Sequence, residues 1–126
     1  MPGPGPLADR IELRGLRVVG VIGVLPEEQA RAQPFEIDLD VYADLSTAGQ
    51  SDDLADTIDY GAITDLVAQV VGDERHALLE RVVQRIADVI LAEHPTVEQV
   101  TVTIRKLRPP IAHDIDTSAV RVTRRR

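Results

Sequence analysis

The feature of this sequence that most constrains its fold is a hydrophobic repeat whose period changes along the chain from two residues to about 3.6 and back to two. A period of two is typical of a β-strand with one buried face, and a period of about 3.6 is typical of an amphipathic helix. The patterns come in the order strand, strand, helix, helix, strand, strand. Their apolar positions are Ile11, Leu13, Leu16, Val18 and Val19; Phe35, Ile37, Leu39 and Val41; Ile63, Leu66, Val67, Val70 and Val71; Leu78, Leu79, Val82, Val83, Ile86, Ala87, Ile90 and Leu91; Val100, Val102 and Ile104; and Val120 and Val122.

The order ββααββ predicts an α+β fold with a four-stranded antiparallel sheet and two helices on one face. A parallel arrangement is disfavoured because it needs a crossover between neighbouring strands. The first two strands should pair as a hairpin across the loop 20–34, and Gly15 suggests a break in the first strand. Asp56 or Thr57 is expected to cap the first helix. A single open sheet has two unpaired edges, so we expect closed oligomerisation by edge pairing.

The two ends and the overall composition limit the class of protein. Residues 1–7 contain three prolines and two glycines and are expected to form a disordered leader, with a single domain over residues 8–124. A net charge of -7 and an aromatic content of 2% disfavour nucleic-acid binding, because such a surface repels phosphates and offers few rings for base stacking. No apolar run is long enough to span a membrane, so a soluble cytoplasmic protein is expected.

Residues that usually bind metals or cofactors are sparse. The chain has no cysteine, and His76, His94 and His113 do not have the spacing of zinc ligands. The sequence also lacks the glycine-rich loops that hold nucleotide phosphates and the motif that surrounds a nucleophilic serine. We therefore expect neither a metal nor a cofactor.

Four local features could carry chemistry, although each also has an ordinary structural explanation. Glu28 lies in the long loop, where acidic residues commonly occupy a first helical turn or face solvent. Tyr60 closes the acidic run 52–60, which can simply cap a helix. Glu80 begins the second helix, where the helix dipole favours a carboxylate. Lys106 ends the third strand, where a lysine often protects a sheet edge.

In their joint order, these features resemble the dihydroneopterin aldolase family. The resemblance covers about residues 8–124, and five motifs in order make it specific although each motif is weak alone. The motifs are Gly15-Leu-x-x-x-Gly20-x-x-Gly23-Val-x-x-Glu-Glu28, Gln33-x-Phe35, Ser51-Asp-Asp-Leu-Ala-Asp-Thr-Ile-Asp-Tyr60-Gly61, Leu78-Leu-Glu80 and Lys106-x-x-Pro-Pro-Ile111.

The resemblance implies a tunnelling fold, in which subunits assemble by their edge strands into a tetrameric barrel and two such rings often stack as an octamer. It implies a lyase of folate biosynthesis that splits 7,8-dihydroneopterin into 6-hydroxymethyl-7,8-dihydropterin and glycolaldehyde, commonly with epimerisation at C2′. The N5=C6 imine of the dihydropterin can receive the electrons that are released when the C1′–C2′ bond breaks. Neither a Schiff-base lysine nor a metal is therefore required.

By the same resemblance, three residues hold the pterin ring. Glu80 would bind the ring N–H and the amino group through both carboxylate oxygens, with the backbone N–H of Leu79 nearby. The backbone around Ile58 would border the ring from a neighbouring subunit.

Three further residues are implied in the chemistry. Lys106 would act with a bound water in proton transfer and would stabilise developing oxyanion charge. Glu28 would contact the side-chain hydroxyls of the substrate, and Tyr60 of the neighbouring subunit would relay a proton to the product carbon. A homo-oligomer then follows, since a monomer would lack half of its site.

The sequence departs from the family pattern in loops near the expected site. Val21 and Ile22 are aliphatic where relatives usually have an aromatic residue or a histidine. Ala32 replaces a glycine, Ala112 replaces a proline, and His113 follows where a small residue is common. These departures bear on the shape of the pocket for the substrate side chain.

Two other hypotheses stay open. A dihydroneopterin-triphosphate epimerase resembles the aldolase and should need cationic residues for the triphosphate; Arg105, Lys106 and Arg108 cluster in sequence near the expected site. A non-catalytic pterin-binding paralogue would bind pterin without releasing glycolaldehyde. Zinc-dependent enzymes of the same fold are disfavoured, because their metal ligands are missing.

Overall fold

The computed structural model describes residues 9–126, so the leader expected at residues 1–7 lies outside the described residues. Four strands form one sheet in the order β1-β2-β3-β4, and each neighbouring pair is antiparallel. The α+β class, the four-stranded antiparallel sheet and the hairpin across the loop 20–34 are therefore confirmed. The strands are β1 (Arg10–Gly20), β2 (Gln33–Tyr42), β3 (Gln99–Lys106) and β4 (Ser118–Arg125).

Two long helices lie between β2 and β3, as the helical spacing predicts. Shorter helical turns, which are too short to show a hydrophobic repeat, occupy the loop 20–34 and the connection after β2. None of the helices in residues 9–126 is both long and apolar enough to cross a membrane. The helices are α1 (Pro26–Gln29), α2 (Ser46–Ser51), α3 (Tyr60–Asp73) and α4 (Leu79–Glu93), with a 3₁₀ turn at Leu54–Asp56.

The cap of α3 lies later in the chain than predicted. Asp59 is the N-cap residue, and its Oδ1 accepts a hydrogen bond from the Gly61 N–H at 2.9 Å. The prediction of Asp56 or Thr57 was wrong, because Asp56 belongs to the 3₁₀ turn and Thr57 closes that turn with an extended backbone. Several side chains in the acidic run could cap a helix, and the position of the 3₁₀ turn selects among them.

Both long helices cover the same face of the sheet, with α3 against β1 and α4 against β3 and β4. The core between them is aliphatic apart from Phe35. Each fully buried aliphatic side chain contributes about 1.5–3 kcal/mol relative to exposure, so this face dominates the stability. Its fully buried residues include Phe35, Ile37, Leu39, Val41, Val100, Val102 and Ile104 from the sheet and Ile63, Val67, Val71, Val82, Val83, Ile86, Ala87 and Ile90 from the helices.

The opposite face of the sheet is polar, and many of its charges pair with one another. Asp40 is only 8% exposed, and its Oδ1 lies 2.5 Å from NH2 of Arg14. The predicted break in β1 is confirmed, because Gly15 has a φ of 72° at a shift of the strand register. Glycine adopts this conformation readily, and the Gly15 N–H donates to Asp38 Oδ1 at 2.8 Å. This face is therefore covered by ion pairs rather than by apolar side chains.

Candidate active site

A nearly buried ion pair joins the long loop to the end of β3. Lys106 pairs in register with Phe35 of β2, and residues opposite each other in an antiparallel pair share a face of the sheet. The side chain of Lys106 therefore points to the helix-covered face. Its Nζ lies 2.8 Å from Oε2 of Glu28, and the two side chains are 13% and 7% exposed. A base and a cation are thus held together at one end of the core.

The loop positions the Glu28 carboxylate through several contacts. Glu28 lies in α1, and its Oε1 accepts the Leu25 N–H at 3.4 Å, while its Oε2 accepts from Gln33 Nε2 at 3.4 Å. Burial alone would raise the pKa of Glu28, but the hydrogen bond and charge of Lys106, with the Leu25 and Gln33 contacts, outweigh burial and lower that pKa. The carboxyl group is therefore ionised at neutral pH.

Gly23 leaves the space that the Glu28 side chain fills. A Cβ at this position would lie 2.6 Å from Oε1 of Glu28 and still nearer to its Cβ and Cδ. The sequence motif contains this glycine, but only the packing shows its steric reason.

The same loop is bonded to the segment that leads into α4. The Gly23 N–H donates to the His76 carbonyl at 3.1 Å, and the His76 N–H donates to the Val21 carbonyl at 3.4 Å. Leu79 and Glu80 follow directly in the first turn of α4, where Leu79 is buried and Glu80 is exposed. The structure therefore places Glu28, Lys106, Leu79 and Glu80 at one end of the molecule.

Tyr60 and Ile58 lie at the other end. The C-terminal part of α3 meets the end of β1, where Val71 approaches Gly20. Tyr60 begins the same 14-residue helix, so it lies about 16 Å from that contact at a rise of about 1.5 Å per residue. Tyr60 is 61% exposed, whereas Ile58 is buried. Within a single chain, the two groups of predicted site residues therefore lie far apart.

Ile58 borders a second cavity at this far end. The cavity has a volume of about 540 Å³, and its lining also includes Ala43, Pro95 and Glu98. The predicted contribution of Ile58 from a neighbouring subunit stays a prediction.

A cleft of about 340 Å³ opens beside Glu28, and its lining includes Arg31, which the sequence analysis had not singled out. Arg31 and Arg108 line it, and within the described part of the chain neither makes an ion pair. Arg105 was grouped with Lys106 and Arg108 by sequence proximity, but it lies on the polar face, 2.7 Å from Asp38. Successive strand residues point to opposite faces, so that grouping was wrong for Arg105. The loop position of Arg31 offers no sequence signal for its place in the cleft.

The departures from the family pattern fall in different environments. Ile22 is fully buried in the core, and Ala32 lines the cleft beside Glu28. Val21 is partly buried, whereas Ala112 and His113 are exposed. Of these residues, Ala32 thus bears most directly on the shape of the cleft.

Among residues 9–126, no group of three or more His, Cys, Asp or Glu side chains could hold a metal ion. The ring of His76 instead interacts with Glu74, with 3.0 Å between Nε2 and Oε1.

Known proteins resemble this chain over most of its length. The family model described as dihydroneopterin aldolase matches residues 11–123. The dihydroneopterin aldolase of Streptococcus pyogenes serotype M18 is 38% identical over 118 residues, which are 94% of this chain and 99% of the relative.

Two solved structures have the same fold. The dihydroneopterin aldolase of E. coli in complex with neopterin superposes with a TM-score of 0.85 at 30% identity, over 93% of this chain and 99% of that chain. The dihydroneopterin aldolase of Burkholderia thailandensis bound to guanine has a TM-score of 0.74 at 32% identity, over 94% of this chain and 91% of that chain.

Proposed function

Because the chain belongs to the dihydroneopterin aldolase family, we propose that it cleaves 7,8-dihydroneopterin at a site shared between two copies of the chain. The products are 6-hydroxymethyl-7,8-dihydropterin and glycolaldehyde. The observation that carries the proposal is the nearly buried ion pair of Glu28 and Lys106 at the same end as Glu80. Groups that can act on the substrate side chain thus lie at the same end as a carboxylate that can bind the pterin ring.

The ring is bound through its edge. Glu80 is exposed in the first turn of α4, where the helix dipole stabilises a carboxylate. Its two oxygens accept hydrogen bonds from the ring N–H and the amino group, and the Leu79 N–H lies beside them. Neopterin in the E. coli relative and guanine in the Burkholderia relative support this choice of ligand, since both rings carry an adjacent N–H and amino group.

The chemistry needs two proton transfers. Lys106 and a bound water remove the proton of the 2′-hydroxyl, and glycolaldehyde forms as the C1′–C2′ bond breaks. The released electron pair passes through C6 to N5, and C1′ then receives a proton through Tyr60. Glu28 holds the side-chain hydroxyls. If C1′ instead adds back to the opposite face of the glycolaldehyde carbonyl, C2′ is epimerised. No step uses a metal or a cofactor.

The second half of the site comes from a neighbouring chain. Tyr60 lies about 16 Å along α3 from the contact of this helix with the Lys106 end of the sheet, so the neighbour supplies Tyr60 and the backbone around Ile58. Edge pairing through β1 and β4 closes the sheets into a tetrameric barrel, and two rings stack as an octamer. The polar, ion-paired face of the sheet supports this assembly, because that face suits a hydrated barrel interior.

The test is glycolaldehyde release from 7,8-dihydroneopterin by protein treated with a chelator. We expect turnover to survive chelation and to fall at least about a hundredfold in Lys106→Ala, since general acid–base catalysis contributes roughly that much. Asp88→Ala, which removes an exposed charge on the outer side of α4, is the control and should retain turnover.

Lys106 is the only lysine of the chain, which allows a second check. Borohydride added during turnover should leave the mass of the protein unchanged, because no Schiff base forms. Turnover that requires a metal, or a trapped adduct, would contradict the cofactor-free mechanism. A folded oligomer that binds pterin but releases no glycolaldehyde would indicate the non-catalytic paralogue instead.

A second candidate is the epimerase that acts on dihydroneopterin triphosphate. The cleft beside Glu28 is the observation in its favour, because the guanidinium groups of Arg31 and Arg108 suit phosphate. Comparing turnover of the triphosphate with turnover of the free alcohol separates the two functions.

A further inference from the structure

Glu74 lies outside the proposed catalytic and binding residues, yet it connects the segment before α4 to α4 itself. Arg85 of α4 binds it in a bidentate manner, with Nε 3.1 Å from Oε1 and NH2 2.8 Å from Oε2. The His76 ring lies 3.0 Å from the same Oε1. The side chains of Glu74 and Arg85 are about one-third exposed, whereas that of His76 is 10% exposed. The segment 74–76 is thereby attached to α4.

The same segment is attached to the loop that carries Glu28. In addition to the two backbone bonds with Val21 and Gly23, the His76 carbonyl accepts from Gln29 Nε2 at 3.2 Å. Arg75 NH1 donates to the Gln29 carbonyl at 3.2 Å. Gln29 is the residue after Glu28. Segment 74–76 therefore lies between α4, which presents Glu80, and the loop, which presents Glu28.

We propose that Glu74 is a positioning residue that sets the placement of Glu28 and Lys106 relative to the ring-binding carboxylate of Glu80. The inference rests on the proposed function. Glu80 is part of α4 and keeps its place when Glu74 is altered. Glu28 depends on its loop, and the loop depends on segment 74–76. A weakened attachment therefore displaces Glu28, and with it the ion pair that positions the Lys106 side chain, and leaves the ring contact intact.

We therefore expect Glu74→Gln, which keeps the shape of the side chain and removes its charge, to lower kcat without changing the affinity for the ring. The kcat for 7,8-dihydroneopterin should fall about tenfold or more, because small displacements of reacting groups are costly. The Kd for 6-hydroxymethyl-7,8-dihydropterin should stay within about twofold of the original, because this ligand is held mainly by its ring. Arg85→Gln removes the other member of the pair and should behave in the same way.

Glu36→Gln is the matched control. Glu36 also binds two arginines, Arg17 at 3.1 Å and Arg105 at 3.4 Å, but it lies on the polar face of the sheet. Its substitution should leave both kcat and ring affinity unchanged. Amide hydrogen exchange gives a readout that does not need turnover: in Glu74→Gln the Gly23 and His76 amides should exchange faster, and the interior amides of α4 should not.

Three results would overturn the inference. These are an unchanged kcat in Glu74→Gln, a parallel loss of kcat and ring affinity, and unchanged exchange at Gly23 and His76. Absence of turnover in the original protein would instead refute the proposed function, and the exchange measurement would still report on the attachment of the loop.

Discussion

At the scale of single residues, the ion pair of Glu28 and Lys106 is the feature that calls for a chemical explanation. Both side chains are largely withdrawn from water. Removing two charges from water carries a penalty that their attraction often fails to offset, so such a pair is weak evidence for stability. The proton transfer that we propose would explain its place beside an open cleft, at the end of the molecule that carries Glu80.

Gly23→Ala tests the steric basis of this pair. The added methyl group would overlap the Glu28 side chain, so the carboxylate must move away from Lys106. We expect kcat/KM to fall about tenfold or more through misplacement of the reacting groups. The matched control is Gly49→Ala in α2, where a Cβ meets nothing within 4 Å. Equal activity in the two variants would show that the placement of Glu28 is unimportant.

The loss of folding stability at acidic pH is a second prediction at this scale. The pKa of Asp38 is lowered, because the Gly15 N–H and Arg105 outweigh the effect of burial, which alone would raise it. The pKa of Glu74 is lowered chiefly by its hydrogen bonds with Arg85. Groups with a lowered folded pKa stabilise the protein above their unfolded pKa, and this contribution is lost as the pH falls through the folded value. The loss should therefore begin below about pH 4.5 for Glu74 and about pH 3.8 for Asp38.

Urea unfolding at about pH 6 and about pH 3 measures this loss. Asp38→Asn, which keeps the size of the side chain, should show a smaller decrease in unfolding free energy between these conditions. A decrease equal to that of the original protein would contradict the role of Asp38.

At the scale of elements, the start of α3 links helix capping to the site. Asp59 caps the helix and Tyr60 is its first residue. Asp59→Ala should lower the unfolding free energy by about 1 kcal/mol through loss of the cap. Thr57→Ala should change it by less than about 0.5 kcal/mol, because that residue does not cap the helix. Thermal or chemical unfolding of both variants would check this, and a larger effect of Thr57 would restore the original prediction of the cap.

At the scale of the whole molecule, the separation of Tyr60 from Lys106 predicts complementation between inactive subunits. Lys106→Ala and Tyr60→Phe each remove one half of the proposed site. In a randomly mixed oligomer, about a quarter of the sites would combine an intact Lys106 with an intact Tyr60 from the neighbour. Co-expression with two affinity tags followed by activity assay measures the recovery. Mixed oligomers no more active than the variants alone would exclude a shared site.

The sequence by itself determined the class and order of the main elements. Hydrophobic period is a local property, so the two long helices and four strands follow from residues within each segment. Gly15 marked the break in β1 for the same local reason, since a positive φ favours glycine. Lys106 was also placed correctly at the end of its strand.

Only the tertiary structure decided how these elements meet. It selected Asp59 as the cap, turned Arg105 away from Lys106 and brought Arg31 to the cleft beside Glu28. It also set Tyr60 and Lys106 at opposite ends, because α3 runs back along β1 from its first residue. These outcomes depend on contacts between residues far apart in the chain, and neither local period nor motif spacing contains that information.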